Sequence, residues 1–166
     1  QTYVQYINSQ GLTRKDVNTG LMVASMHKEF IAYENLDRKC EIFHKELPDD
    51  ARLHRLYRRV DFMEKVEDFK EQELNIDDQI IDTESNLWYI VLQKNLYKVG
   101  LPIDLFDDCQ SHIDALVNRR NSIAHGNFRS GVTAEEFSNW EIKVSEILSA
   151  VTRLLYDYAN NEKYLA

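Results

Sequence analysis

Residues Ile113–Phe128 read IDALVNRRNSIAHGNF. Ile113, Leu116, Val117, Ile123 and Ala124 recur at helical spacing and lay one apolar stripe along a helix, and Gly126 stands where a residue just past a helix C-terminus belongs. Positions advance by about 100° in a helix, so Asn121 and His125, four apart, lie one above the other, while Arg120 falls in line with Leu116 and Ala124 at the edge of the stripe. A guanidinium buried without a partner is costly, so Arg120 either meets a carboxylate inside a bundle or borders a cleft that admits an anion. A plainer reading stays open. Arg, Asn and His near the end of a helix also suit the macrodipole and the last carbonyls, with no chemistry attached.

The order of these residues adds to their spacing. Arg120, Asn121 and His125, in the string RNSIAHG, resemble the R-x4-6-H motif of the HEPN superfamily, in which a polar residue, often Asn, follows the Arg and the motif closes the penultimate long helix. The resemblance runs from about residue 20 onward and is closest to the small bacterial HEPN domains of toxin or defence type. It implies an all-α, HEPN-like bundle of about five helices that works as a metal-independent endoribonuclease without a cofactor. In that chemistry an RNA 2′-hydroxyl attacks the adjacent phosphate and leaves a 2′,3′-cyclic phosphate and a 5′-hydroxyl. The resemblance makes Arg120, Asn121 and His125 catalytic: Arg120 holds the phosphate, His125 exchanges a proton, and Asn121 orients the imidazole or bonds the phosphate. It also implies a homodimer that joins two motifs in one cleft, with RNA as substrate and an antitoxin or regulatory protein as a further partner. The alternative is a catalytically silent HEPN module that binds or scaffolds a nucleotidyltransferase-type antitoxin or a larger defence protein. A generic helical interaction protein is a third reading.

Outward from the motif, the segments on both sides read as helices. Thr133 and Glu136 form a capping box, and Phe137, Trp140, Val144, Ile147, Leu148, Val151, Leu154, Leu155 and Tyr158 then trace a stripe that should pack along the motif helix. Upstream, acidic residues from Asp104 to Asp108 suit the start of the motif helix. A helix over about Asn86 to Val99 is capped by Thr83 or Ser85 and stopped by Gly100 and Pro102. Residues 73–82, ELNIDDQIID, lack a period and read as a loop. One helix is expected from about Asn18 to Glu46, broken at Pro48 and Asp49, and another from about Asp49 to Gln72 with Leu53, Leu56, Tyr57, Val60, Met63, Val66 and Phe69 inward. Residues 1–17 are an N-terminal extension or short helix, 18–160 the HEPN-like domain and 161–166 a frayed tail.

Arg52, Arg55 and Arg59, spaced three and four apart, form a basic ridge. It is either a wall of an RNA-binding cleft or a solvated face paired with Asp49, Asp50, Asp61 and Glu64. Arg119, beside the motif, is a further candidate for RNA contact.

A chain of 166 residues, 43% hydrophobic, has length for one substantial core and not for two ordinary ones. Five glycines, two prolines, no extended apolar alternation and no Asn-Gly or Asp-Gly turn favour helices over strands. No apolar run approaches a membrane span and no signal peptide is visible, so a cytoplasmic protein without a membrane partner is expected. The chain starts at Gln1, which suggests a trimmed product or a piece of something longer. A net charge of -8 opposes broad coating of nucleic acid but leaves room for a local basic cleft.

Other chemistries lack their residues. Cys109 and His112 have no second pair at zinc spacing, and Asp77, Asp78 and Asp82 lack the pattern of a calcium loop, so no metal site is expected. Cys40 and Cys109 are expected as free thiols without the signature of a thiol nucleophile. No phosphate-binding glycine loop, G-x-S-x-G elbow or H-E-x-x-H is present.

Overall fold

The computed structural model describes residues 1–43, 50–126 and 131–166. Seven α-helices occur among them: α1 (Thr2–Asn8), α2 (Thr19–Ser25), α3 (His27–Glu34), α4 (Ala51–Lys70), α5 (Tyr89–Lys98), α6 (Gln110–Ala124) and α7 (Ala134–Asn160). Single 3-10 turns lie at Arg14–Asp16, Asp78–Ile80 and Asp107–Cys109. The described residues contain no strand, only isolated bridges between Thr13 and Glu73 and between Val17 and Leu165. The all-α class therefore stands, with more helices than the five or so expected.

One extra helix comes from a break at Met26 in the expected 18–46 helix. The Ser25 carbonyl accepts a buried bond from Arg14 Nη2 at 3.1 Å, and Arg14 Nη1 pairs with Glu29 Oε1 at 2.9 Å. Ser25 Oγ bonds back to the Met22 carbonyl at 2.8 Å, a contact that competes with helix continuation. The chain leaves helical geometry at Met26 (φ -94°, ψ 14°), which separates α2 from α3. The break expected at Pro48 and Asp49, and most of the loop expected after Gly126, lie outside the described residues.

The core gathers Tyr3, Val4 and Ile7 of α1 with Leu21, Leu74, Ile76, Leu96, Ile113 and Tyr164. Residues 73–82 are irregular, as expected, but they are not a solvated loop. Leu74 and Ile76 are buried, and Asn8 bonds both the N–H and the carbonyl of Ile76, at 2.9 and 2.8 Å, which supplies the backbone partners that a buried irregular segment needs. Nor does the chain fray after residue 160. Asn18 N donates to the Tyr164 carbonyl at 2.8 Å and Ala166 N to the Asp16 carbonyl at 3.0 Å, with the Tyr164 ring buried between.

Two long helices carry more apolar surface than the fold covers. Leu56, Val60 and Met63 of α4, expected inward, face solvent, with Met63 66% exposed. The helix turns Phe69, as expected, and Phe62 onto Phe30 and Tyr33 of α3, with ring centroids 5.3 to 6.2 Å apart. Asp61 fixes that contact by accepting from Tyr33 Oη at 2.7 Å and pairing with Arg38 and Lys65. In α7, Ile147, Val151, Leu154, Leu155 and Tyr158 pack on the core, and α1 is its main neighbour rather than the motif helix. Other apolar residues of α7 stay uncovered, with Phe137 61% and Leu148 62% exposed.

Candidate functional site

The site is built where α6 ends and where α5 begins. At the end of α6, His125 N donates to the Asn121 carbonyl at 2.9 Å and Gly126 N to the Ile123 carbonyl at 3.1 Å. Gly126 then takes φ +70°, a left-handed conformation that carries no steric cost only in glycine, which is why the helix stops there. His125, the last residue before that turn, is exposed, and Asn121 one turn back is half-buried.

Arg120 is exposed and reaches neither an internal carboxylate nor the core edge predicted for it. Its Nη1 donates to Asn86 Oδ1 at 2.8 Å and to Asn121 Oδ1 at 3.0 Å. Both acceptors are neutral amides, so the guanidinium is oriented without being neutralised.

Asn86 is held in position by the preceding turn. Asn95 bonds the Asp82 N–H and carbonyl at 3.2 and 2.7 Å, Asp82 Oδ1 accepts from Glu84 N at 2.8 Å, and Lys94 pairs with Glu84 at 2.8 Å. Glu84 and Ser85 take φ 48° and 69°, so two successive non-glycine residues are left-handed just before Asn86. Such residues cost on the order of 1 kcal/mol or more each and persist only where their surroundings over-determine them. The helix expected from Asn86 starts at Tyr89, and neither Thr83 nor Ser85 caps it. Asp114 of α6 does so, accepting from Tyr89 N at 3.0 Å. Asn86, which holds Arg120, and Asp114, which caps α5, were missed by sequence reading, since no local pattern connects them to partners 34 and 25 residues away.

The other expected residues are distributed unevenly. Arg119 is half-buried, donates to the Gly131 carbonyl at 3.4 Å and lies 3.6 Å from Glu136. Glu136 is itself the capping-box acid of α7. The Thr133 N–H bond first, and Arg119 after it, hold its carboxyl below the ordinary range. Arg119 thus joins the motif helix to the start of α7. Arg52, Arg55 and Arg59 are exposed on α4, which packs chiefly on α3 and the 14–16 turn, whereas α6 packs on α5. The ridge and the motif thus stand on helices with different main neighbours. One expected ridge partner, Asp61, is taken by Tyr33, Arg38 and Lys65.

Asp77 and Asp82 accept from Gln79 N and Glu84 N, the work of turn residues, and Asp78 accepts from Gln5 Nε2. No cluster of three metal-ligating side chains occurs among the described residues. Cys40 is buried, Cys109 half-buried, and both are free. No described helix is long and apolar enough to cross a membrane.

Set beside known proteins, residues 1–164 match the family model described as HEPN_MAE_28990-like HEPN. No curated protein and no solved structure matches the chain.

Proposed function

The chain belongs to the HEPN_MAE_28990-like HEPN family, and on that premise we propose that it is a metal-independent endoribonuclease of toxin or antiviral-defence type. One observation carries this reading. Among the described residues Arg120 is fixed in an exposed position by amide oxygens, at 2.8 and 3.0 Å, so its charge and its remaining N–H donors are available to an anion. The neighbouring Arg119, 3.6 Å from Glu136, has a carboxylate beside it.

The RNA 2′-oxygen forms a bond to phosphorus and the bond from phosphorus to the 5′-oxygen breaks. A base takes the 2′-hydroxyl proton and an acid returns one to the leaving 5′-oxygen. Arg120 stabilises the charge that builds on the phosphoryl oxygens, with a planar fork suited to two of them. His125, one turn away, has the chemistry for either proton transfer. Asn121 presents Oδ1 to Arg120 and keeps the guanidinium aimed. A single imidazole cannot act as acid and base in the same instant, so a second copy of the motif completes the cleft and the active species is a homodimer.

A silent binding module is the second reading. Leu56 and Met63 of α4 and Phe137 and Leu148 of α7 favour it, because exposed apolar side chains of this size suit a protein partner. The deciding experiment incubates the purified protein with RNA in EDTA and analyses the ends. Cleavage with 2′,3′-cyclic phosphate termini, and a rate per protomer that falls on dilution into monomer, are expected. Intact RNA bound to a folded dimer would assign the chain to the second reading.

A further inference from the structure

A recess beside the Arg120 latch has no role in the chemistry above. Trp88, Tyr89 and Gln93 bound it from the α5 side and Asp107, Gln110 and Asp114 from the α6 side, around about 470 Å³. That lies within the range of about 300–1,000 Å³ typical of small-ligand clefts. Trp88 is half-buried, so its indole is anchored while part of it remains accessible.

The polar walls are fixed. The Tyr89 hydroxyl donates to Asp107 Oδ1 and accepts from Gln93 Nε2 at 2.9 Å, while Asp114 Oδ1 accepts from Tyr89 N at 3.0 Å. Burial first, and the bond to Asp107 second, push the Tyr89 hydroxyl up to about 12, so it remains a donor at neutral pH. Each carboxylate thus commits Oδ1 to the fold, and neither Oδ2 accepts a hydrogen bond among the described residues.

The recess shares one helix face with Asn121 of the motif, and Arg120 lies next to that face, bonded to Asn121. Gln110, Asp114 and Asn121 fall within about 40° of one another around α6, and Asp114 lies about 9 Å from Arg120 along its axis. Asn86, the partner of Arg120, also accepts from Trp88 N at 2.9 Å, so the latch and the indole belong to one short segment.

We propose that this recess receives a nucleobase of the RNA strand whose phosphate sits at Arg120, and that it selects a base with an exocyclic amino group over uracil. The proposal rests on the RNA reading of the Arg120 site. The indole supplies a stacking face, which any base can use. The two Oδ2 atoms are acceptors only, and they match the amino N–H donors of guanine, adenine or cytosine. Uracil sets two carbonyl oxygens against those carboxylates. The same negative charge repels a phosphate, so the base enters the recess and the backbone goes to the guanidinium.

The test pairs binding of short labelled RNAs, read by fluorescence anisotropy, with mapping of cut sites in RNA of mixed sequence. Oligocytidine should bind at least about fivefold more tightly than oligouridine, and cuts should avoid uridine at one position beside the scissile phosphate. Asp114→Asn keeps an Oδ1 acceptor for Tyr89 N but replaces Oδ2 with a donor. It should move the cytidine-to-uridine ratio toward uridine by roughly tenfold. Asp107→Asn makes the same exchange on the exposed wall and serves if circular dichroism finds Asp114→Asn unfolded. Equal binding of both oligomers, or an unchanged ratio in the folded variants, overturns the base site and leaves the ribonuclease reading standing if RNA is cut. Base-selective binding without cleavage overturns the ribonuclease and keeps the recess. No RNA binding at all removes both.

Discussion

Arg120 Nη1 donates to Asn86 Oδ1 at 2.8 Å across 34 residues of chain, so the central cation of the motif is aimed by a residue the motif does not contain. Asn86→Ala should leave the charge in place but release its orientation, lowering the cleavage rate by about tenfold. Arg120→Ala should lose about 10²-fold or more, and Arg120→Lys should not restore it, because an ammonium lacks the planar fork. Single-turnover rates beside thermal melts check this. A wild-type rate in folded Arg120→Ala would remove the guanidinium from the chemistry.

His125 is exposed at the helix end, so its replacement should separate catalysis from folding. His125→Ala should lower cleavage by roughly 10²-fold or more while changing stability by no more than about 1 kcal/mol. EDTA should alter neither protein. Unfolding of the variant near the assay temperature would instead make His125 a structural residue.

The two arginine groups should respond differently to salt. Replacing Arg52, Arg55 and Arg59 with Ala should raise KM, leave kcat unchanged, and flatten the slope of log K against log salt by about 2, near 0.7 per lost single-strand phosphate contact. Arg119→Ala should leave that slope unaltered and lower the melting temperature slightly, as it loosens the α6 to α7 junction at Glu136. An unchanged slope in the triple variant would make the ridge a solvated surface.

Asp61 gives the fold an acid-sensitive point. Its carboxyl is pulled down to about 2, first by the Tyr33 hydroxyl bond, with Lys65 and Arg38 adding to it. An unfolded Asp titrates near ~3.9, so the contribution is complete above that pH and is lost as pH falls toward about 2. Urea melts between about pH 5 and pH 2 should show a stability decline that Asp61→Asn largely removes. An equally steep decline in Asp61→Asn would place the acid sensitivity elsewhere.

What sequence reading captured was set by neighbours in the chain. The stop at Gly126, the Thr133–Glu136 box and the extent of α4 depend on residues within a turn or two, and each appears at or near its expected place. What it missed was decided across the chain. The Met26 break depends on Arg14 capturing the Ser25 carbonyl, and the start of α5 on a carboxylate 25 residues later. In α4 the expected stripe was too broad, because Leu56, Val60 and Met63 lie on one side of the helix while Phe69, with Phe62, lies on another. Only packing on Phe30 and Tyr33 decides which is covered.

The bond from Tyr89 N to Asp114 Oδ1 also constrains the order in which the molecule can assemble. A helix forming alone leaves its first N–H groups to water, and α5 has no side-chain cap of its own. Its first turn is completed only when α6 arrives, so the two helices should open and close as one cooperative unit. Hydrogen exchange at the Tyr89 amide would then report the docking of the motif helix.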